Sequence, residues 1–140
     1  MQTNKSVYID ANVFLNAILY SPKTNSDAAR AIDYLKKVIH NEIDAHTSWL
    51  TWDEVIYITR RELGHEISKQ KGREFLAYPN LKFENLNSDI IRDAQGFLEK
   101  YNIRPRDAIH LATAVGKNIA EIVTFDQDFK GIEEITYSPP

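Results

Sequence analysis

The sequence predicts an α/β fold of three layers, α/β/α, around a central parallel sheet of four or five strands. Three observations carry this. Short runs rich in β-branched and aromatic residues recur along the chain, and helical stretches of ten or more residues separate most of them. The first run, Val7-Tyr8-Ile9, is apolar throughout, as a strand covered on both faces should be.

In chain order, Val7 to Ile9 forms the first strand and ends at Asp10. Ala11 to Tyr20 follows as a helix with Val13, Phe14, Ala17 and Ile18 on one face. Ser21-Pro22 and Thr24-Asn25 make a loop. Ser26 caps a helix from Asp27 to about Ile39, whose Ala31, Ile32, Leu35, Val38 and Ile39 recur at helical spacing. Ile43 to Ser48 is the second strand. Thr51 caps a helix to about Leu63, with Gly64 just past its end, and a further helix covers Glu66 to Ala77. Pro79-Asn80 turns the chain into a strand over Leu81 to Leu86. Ser88 caps a helix reaching about Tyr101, and Pro105 opens one that runs to about Val115. Glu121 to Phe125 and Ile132 to Tyr137 complete the set as strands.

The 140 residues fit one ordinary domain, 1–140, with no repeat, low-complexity tract or Gly/Ser linker to divide it. A hydrophobic fraction of 43% and a charged fraction of 26% are those of a folded, soluble chain. No apolar run approaches the roughly 18–20 residues that cross a bilayer, and the polar residues Met1 to Ser6 do not read as a signal peptide. Cysteine is absent, which excludes disulfides, thiolate zinc sites and cysteine nucleophiles, and suits a reducing cytoplasm. The net charge of −3 argues against a nonspecific basic coat for nucleic acid.

Acids fall at equivalent places on this scaffold. Asp10 ends the first strand, Glu54 lies in the first turn of the helix after the second, Asp107 sits in the first turn of the helix opened by Pro105, and Asp126 follows Val123-Thr124-Phe125. All four belong to the carboxyl edge of the sheet, where such folds bind ligands. Singly, each has an ordinary explanation. Glu54 completes a capping box with Thr51, Asp107 complements a helix dipole, and Asp126 is a turn aspartate. Asp10, between an apolar strand and an apolar helix, is harder to explain so. Crowded, partly buried carboxylates repel unless protonated, paired with a base or shared by a cation. An all-oxygen anionic pocket suits Mg2+ or Mn2+ rather than zinc, and without a phosphate-binding glycine loop it points to phosphodiester chemistry.

Four segments, Tyr8-Ile9-Asp10-Ala11-Asn12-Val13-Phe14-Leu15, Glu54 opening an apolar helix, Arg106-Asp107-Ala108-Ile109-His110-Leu111-Ala112-Thr113-Ala114 and Val123-Thr124-Phe125-Asp126-Gln127-Asp128-Phe129, occur in order across the chain. Together they resemble the PIN-domain ribonucleases, and among them the VapC-like toxins of toxin–antitoxin pairs. The resemblance implies a divalent-metal endoribonuclease, an RNA substrate, an antitoxin partner and homodimers. It implies that Asp10, Glu54, Asp107 and Asp126 hold the ion and carry catalysis. Asn12, Thr124 and Asp128 would support that shell. The helices around residues 26 to 63 would form the antitoxin groove.

Beside the pocket, Arg104 and Arg106 flank Pro105 and are placed to grip RNA phosphates. His110, one turn after Asp107, reads as a core or hydrogen-bonded histidine rather than a ligand. Trp49, Trp52, Tyr57 and Tyr101 read as core or partner-packing residues before base-stacking ones. Two other readings are a non-catalytic PIN-like module that binds RNA or protein, and a stand-alone RNA-processing nuclease. A receiver-like signalling domain is excluded: it needs a second acid near Asp10 and a late strand-end lysine, and the chain has Phe125 and Asp126 after Thr124.

Overall fold

A computed structural model describes residues 5–140; the start of the polar opening stretch, residues 1–4, lies outside the described residues. The strands β1 (Ser6–Ile9), β2 (Asp44–Ser48), β3 (Leu81–Glu84), β4 (Glu121–Val123) and β5 (Thr136–Ser138) pair in the order β3-β2-β1-β4-β5. Every pairing is parallel. The helices are α1 (Ala11–Leu19), α2 (Ser26–Ile39), α3 (Trp49–Leu63), α4 (His65–Leu76), α5 (Ser88–Lys100) and α6 (Pro105–Gly116).

The alternation of side chains along β1 builds the two apolar layers. Val7 and Ile9 point to one face and pack with Val13 and Phe14 of α1, Leu35 and Val38 of α2, Val55 of α3 and Phe75 of α4. Tyr8 points to the other face and packs with Leu111 and Ala114 of α6, and with Ile122, Phe129 and Ile135. Ala108 and Ala112 of α6 meet Ile90 and Ala94 of α5 to close that layer. The expected α/β/α sandwich with a parallel sheet is therefore formed.

The strand order also fixes where a crevice must open. The chain begins at the centre, builds outward through β2 and β3, then returns to place β4 on the opposite side of β1. Crossovers of one hand put α1–α4 on one face and α5–α6 on the other. The connections leaving β1 and β4 consequently diverge, and the gap between them lies at the carboxyl ends of these strands.

Several boundaries differ from the sequence reading. Asn25 and Asn87, not Ser26 and Ser88, are the caps, their side chains accepting from Ala28 N at 3.0 Å and Ile90 N at 2.9 Å. Asparagine serves this position as well as serine, so the competition fell one residue earlier. Helix α3 starts at Trp49, directly after β2, which puts Thr51 inside the first turn with its hydroxyl on Thr47 Oγ1 at 2.7 Å. β3 stops at Glu84 because its partner β2 ends at the paired Ser48. Ile132 and Ile135, expected in the last strand, are instead core residues of the turn before it, and pairing starts at Thr136.

One residue joins α3 to α4. Gly64 ends the first and begins the second at φ +93° and ψ 171°, a conformation open in practice only to glycine. Gly64→Ala should lower unfolding stability by about 1–3 kcal/mol, measured by urea titration. A midpoint equal to wild type would show that this joint carries no strain.

Candidate metal centre at the carboxyl edge of the sheet

Asp10 is the pivot of the site. It closes β1 and caps α1, and it is 5% exposed. Its Oδ1 accepts from Ala11 N at 2.7 Å, and its Oδ2 accepts from Thr124 Oγ1 at 2.8 Å and Asn12 Nδ2 at 3.2 Å. Asn12 also donates to Thr124 Oγ1 at 2.9 Å, and its Oδ1 accepts from Phe125 N at 3.2 Å. These bonds tie the end of β1 to the end of β4, across the line where the connections part. Thr124 Oγ1 takes a further bond from Asp126 N at 3.0 Å, which sets the next acid in place.

Asp126 caps a short 3-10 turn, Gln127–Phe129, and its Oδ1 accepts from Asp128 N at 2.9 Å. Asp128 contributes that backbone N–H while its own side chain stays at the surface, 56% exposed. Asp107 enters from the first turn of α6 and is nearly buried. Its Oδ2 is buried and accepts no hydrogen bond among the described residues; the nearest cation is Arg104, with Nε at 3.6 Å. Arg104 also approaches Asp126 Oδ2 at 3.4 Å and Asp128 Oδ2 at 3.9 Å, although its own side chain is 74% exposed.

The fourth acid arrives differently from the sequence reading. Because α3 begins at Trp49, Glu54 lies in its second turn and makes no capping box with Thr51. Its Oε1 instead meets Nε2 of His110 at 2.6 Å. His110 is fully buried, stands 3.6 Å from Asp10 Oδ1 through the same nitrogen, and contacts the Tyr8 hydroxyl at 2.5 Å through Nδ1. It was expected to be a hydrogen-bonded core residue, and it is. Its bonding inside the acid cluster was not foreseen. The signal was available: Tyr8 and Asp10 share a face of β1, and Asp107 and His110 share a face of α6.

Asp10, Glu54, Asp107 and Asp126 thus line a single cavity of about 510 Å³, with Asn12, Arg104 and Arg106. Possible ligand atoms fall into two groups, each within 4.8 Å: Asp10, Glu54 and His110, and Asp107, Asp126 and Asp128. Arg106 stands on the rim, 3.5 Å from Asp53. The aromatic residues lie elsewhere. Trp49 stacks on Phe83 and donates to Asn85 Oδ1, Trp52 and Tyr57 are exposed on α3, and Tyr101 binds Glu134.

Crowding shows in the proton equilibria. Burial, then the charges of Asp10 and Asp126, push the Asp107 carboxyl up to about 6, against the pull of Arg104 and His110. Burial also raises Asp10, with His110 and Thr124 opposing. For His110 burial works downward, but Tyr8, Glu54 and Asp10 outweigh it and hold its proton well above the usual histidine range. A hard divalent cation fits what remains: an all-oxygen set with one buried, unpartnered carboxylate oxygen.

Fold and site together define an α/β domain with an anionic, metal-ready pocket at the switch point of a parallel sheet. The chain belongs to the PIN domain family, whose family model matches residues 7–135. Among curated proteins it is similar to Ribonuclease VapC2 of Methanocaldococcus jannaschii, with 25% identity over 95% of this chain and 92% of that protein. Among solved structures, VapC20 of Mycobacterium tuberculosis, described as a sarcin-ricin loop cleaving toxin, superposes with a TM-score of 0.73. It is 17% identical, over 96% of this chain and 99% of that one. VapBC2 of Rickettsia felis, bound to a DNA fragment from its promoter, also gives 0.73, at 17% identity over 96% and 98%. A toxin–antitoxin complex from Klebsiella pneumoniae gives 0.67, at 22% identity over 93% and 95%.

Asp107, Asp10 and His110 all bind protons more tightly folded than unfolded. Their contribution to stability is therefore full below the unfolded values and lost as pH rises, for Asp107 between about 4 and 6. In chelator, the melting temperature should be higher at pH 5.5 than at pH 8 by about 3–6 °C, with the difference reduced in Asp107→Asn. Melting that instead rises steadily from pH 5.5 to 8 would contradict this.

Proposed function

We propose that this chain is a cytoplasmic endoribonuclease dependent on Mg2+ or Mn2+, and the toxin of a toxin–antitoxin pair. The observation that carries the proposal is the buried Asp107 Oδ2 without a hydrogen bond, facing a cavity lined by three further acids. Asp10, Glu54, Asp107 and Asp126 would hold the ion. Membership of the PIN family and the names of the relatives support RNA as the substrate.

When bound, a divalent ion supplies an activated water and offsets the charge that builds on the phosphate. The protein's part is orientation. The Ala11 N–H and the Thr124 hydroxyl fix both oxygens of Asp10, and the Asp128 N–H fixes one of Asp126. These groups need no rearrangement as charge develops, which is how preorganised sites lower barriers. Arg104 neutralises the acids in the free protein and, being exposed, is free to swing onto a substrate phosphate once they are engaged. Arg106 would extend that grip at the rim.

An antitoxin partner finds support in a hollow of about 140 Å³ lined by Phe14, Ile18, Leu35, Phe75 and Tyr78, with Lys71 and Glu74 beside them. It lies among α1, α2 and α4, so it would extend the groove expected around residues 26 to 63 toward α1 and α4. Exposed Trp49, Trp52 and Tyr57 on α3 offer an apolar surface for homodimer formation.

With Mn2+ or Mg2+ the purified protein should cut RNA, and Asp107→Asn should lose more than the roughly 10–100-fold typical of a lost supporting partner, with its fold intact by circular dichroism. Cleavage that survives a chelator, or is equal in the variant, would sink the nuclease reading. Separately, Arg104→Ala should weaken RNA binding and reduce the salt dependence of log K by about one unit. An unchanged slope would remove Arg104 from the phosphate contacts.

A further inference from the structure

His110 lies within the acid cluster yet has the wrong chemistry for a ligand as it stands. With the carboxylate oxygen as acceptor, the 2.6 Å contact with Glu54 Oε1 puts a hydrogen on Nε2. A nitrogen carrying that hydrogen has no lone pair to offer a cation. On the other side of the ring, Nδ1 is engaged by the Tyr8 hydroxyl, itself fully buried on β1. The ring is thus held at both nitrogens, and the nitrogen facing the acids is a donor whichever way the Tyr8 proton lies.

Glu54 needs such a partner more than the other acids do. Asp10 and Asp126 each accept from a backbone N–H and have short side chains. Glu54 carries three rotatable torsions and takes its hydrogen bond from His110. One of its oxygens is committed there, leaving the other for the pocket it lines.

We propose that His110 is a positioning residue acting through Glu54: anchored by Tyr8, it presents an Nε2–H that sets the Glu54 carboxylate at the edge of the metal pocket. The chain Tyr8–His110–Glu54 links the centre of the sheet to α6 and then to α3, so three elements share one geometry. The inference rests on the metal-nuclease reading above.

The test compares His110→Leu, His110→Gln, Tyr8→Phe and Asp107→Asn with wild type. The readouts are Mn2+ binding by calorimetry, cleavage kinetics, and imidazole 15N resonances of the metal-free protein. His110→Leu should weaken Mn2+ binding about 10–100-fold and lower kcat far more than it changes KM for RNA. His110→Gln, which retains an N–H donor, should recover at least half of that loss on a logarithmic scale, and Tyr8→Phe should fall between. The 15N signals should show a hydrogen on Nε2 before any metal is added. If His110→Leu fails to fold, the glutamine and phenylalanine variants carry the same comparison.

A folded His110→Leu with wild-type Mn2+ affinity and kcat, or an Nε2 without hydrogen in the metal-free protein, would overturn the proposal. So would a His110→Gln as impaired as the leucine variant. If Asp107→Asn also binds Mn2+ like wild type, the pocket reading itself fails; if Asp107→Asn loses the ion while His110→Leu keeps it, only the positioning role fails.

Discussion

Everything in this domain is arranged around the difficulty of holding Asp10 as an acid at the centre of the sheet. It sits at the end of the innermost strand, nearly out of solvent, with Glu54 close enough to raise its proton affinity and Asp107 close enough to have its own raised by it. A buried carboxylate survives only where hydrogen bonds or cations compensate it. The fold answers with the first N–H of α1, the hydroxyl that follows β4, and the amide of Asn12. Each donor is placed by a different element, so the strand order, the start of α1 and the end of β4 must all be right together.

The two positive groups near the acids are not equivalent. His110 is buried, bonded at both nitrogens, and part of the packed interior between β1 and α6. Arg104 is mostly exposed and spreads its guanidinium over three aspartates at 3.4–3.9 Å. Solvent reaches the arginine side of these pairs, which weakens them. One cation belongs to the scaffold and the other stands at the solvent edge of the acids.

The layout was legible in the sequence because it depends on patterns with strong periodicity. Val7, Tyr8 and Ile9 announced the central strand, and acids after apolar runs marked its carboxyl edge. What was misread depended on single-residue competition. Thr51 followed by Glu54 fits a capping box, but β2 runs straight into α3 at Trp49, so the glutamate falls a turn deeper and faces His110. Asn25 and Asn87 took the caps assigned to the neighbouring serines. His110 was correctly given a hydrogen-bonded interior place. Strand and helix periodicity put it on the faces of Asp10 and Asp107, but its bond to Glu54 of α3 joins elements far apart in sequence, which local spacing does not encode. Asp128 likewise carried no sequence sign that its backbone N–H would bond Asp126 Oδ1.

Asp107 is where the compensation stops. Asp10 has a donor for each oxygen, Asp126 has a backbone N–H and Glu54 has a histidine, yet Asp107 Oδ2 is buried with only a distant, exposed arginine. Burial, with the charges of Asp10 and Asp126, keeps its carboxyl near a titration point of about 6 and costs stability at neutral pH. Natural proteins retain such unsatisfied groups chiefly at functional positions. A divalent cation held among these acids would remove the cost, so this buried, unpartnered oxygen is the pocket's strongest argument for a metal.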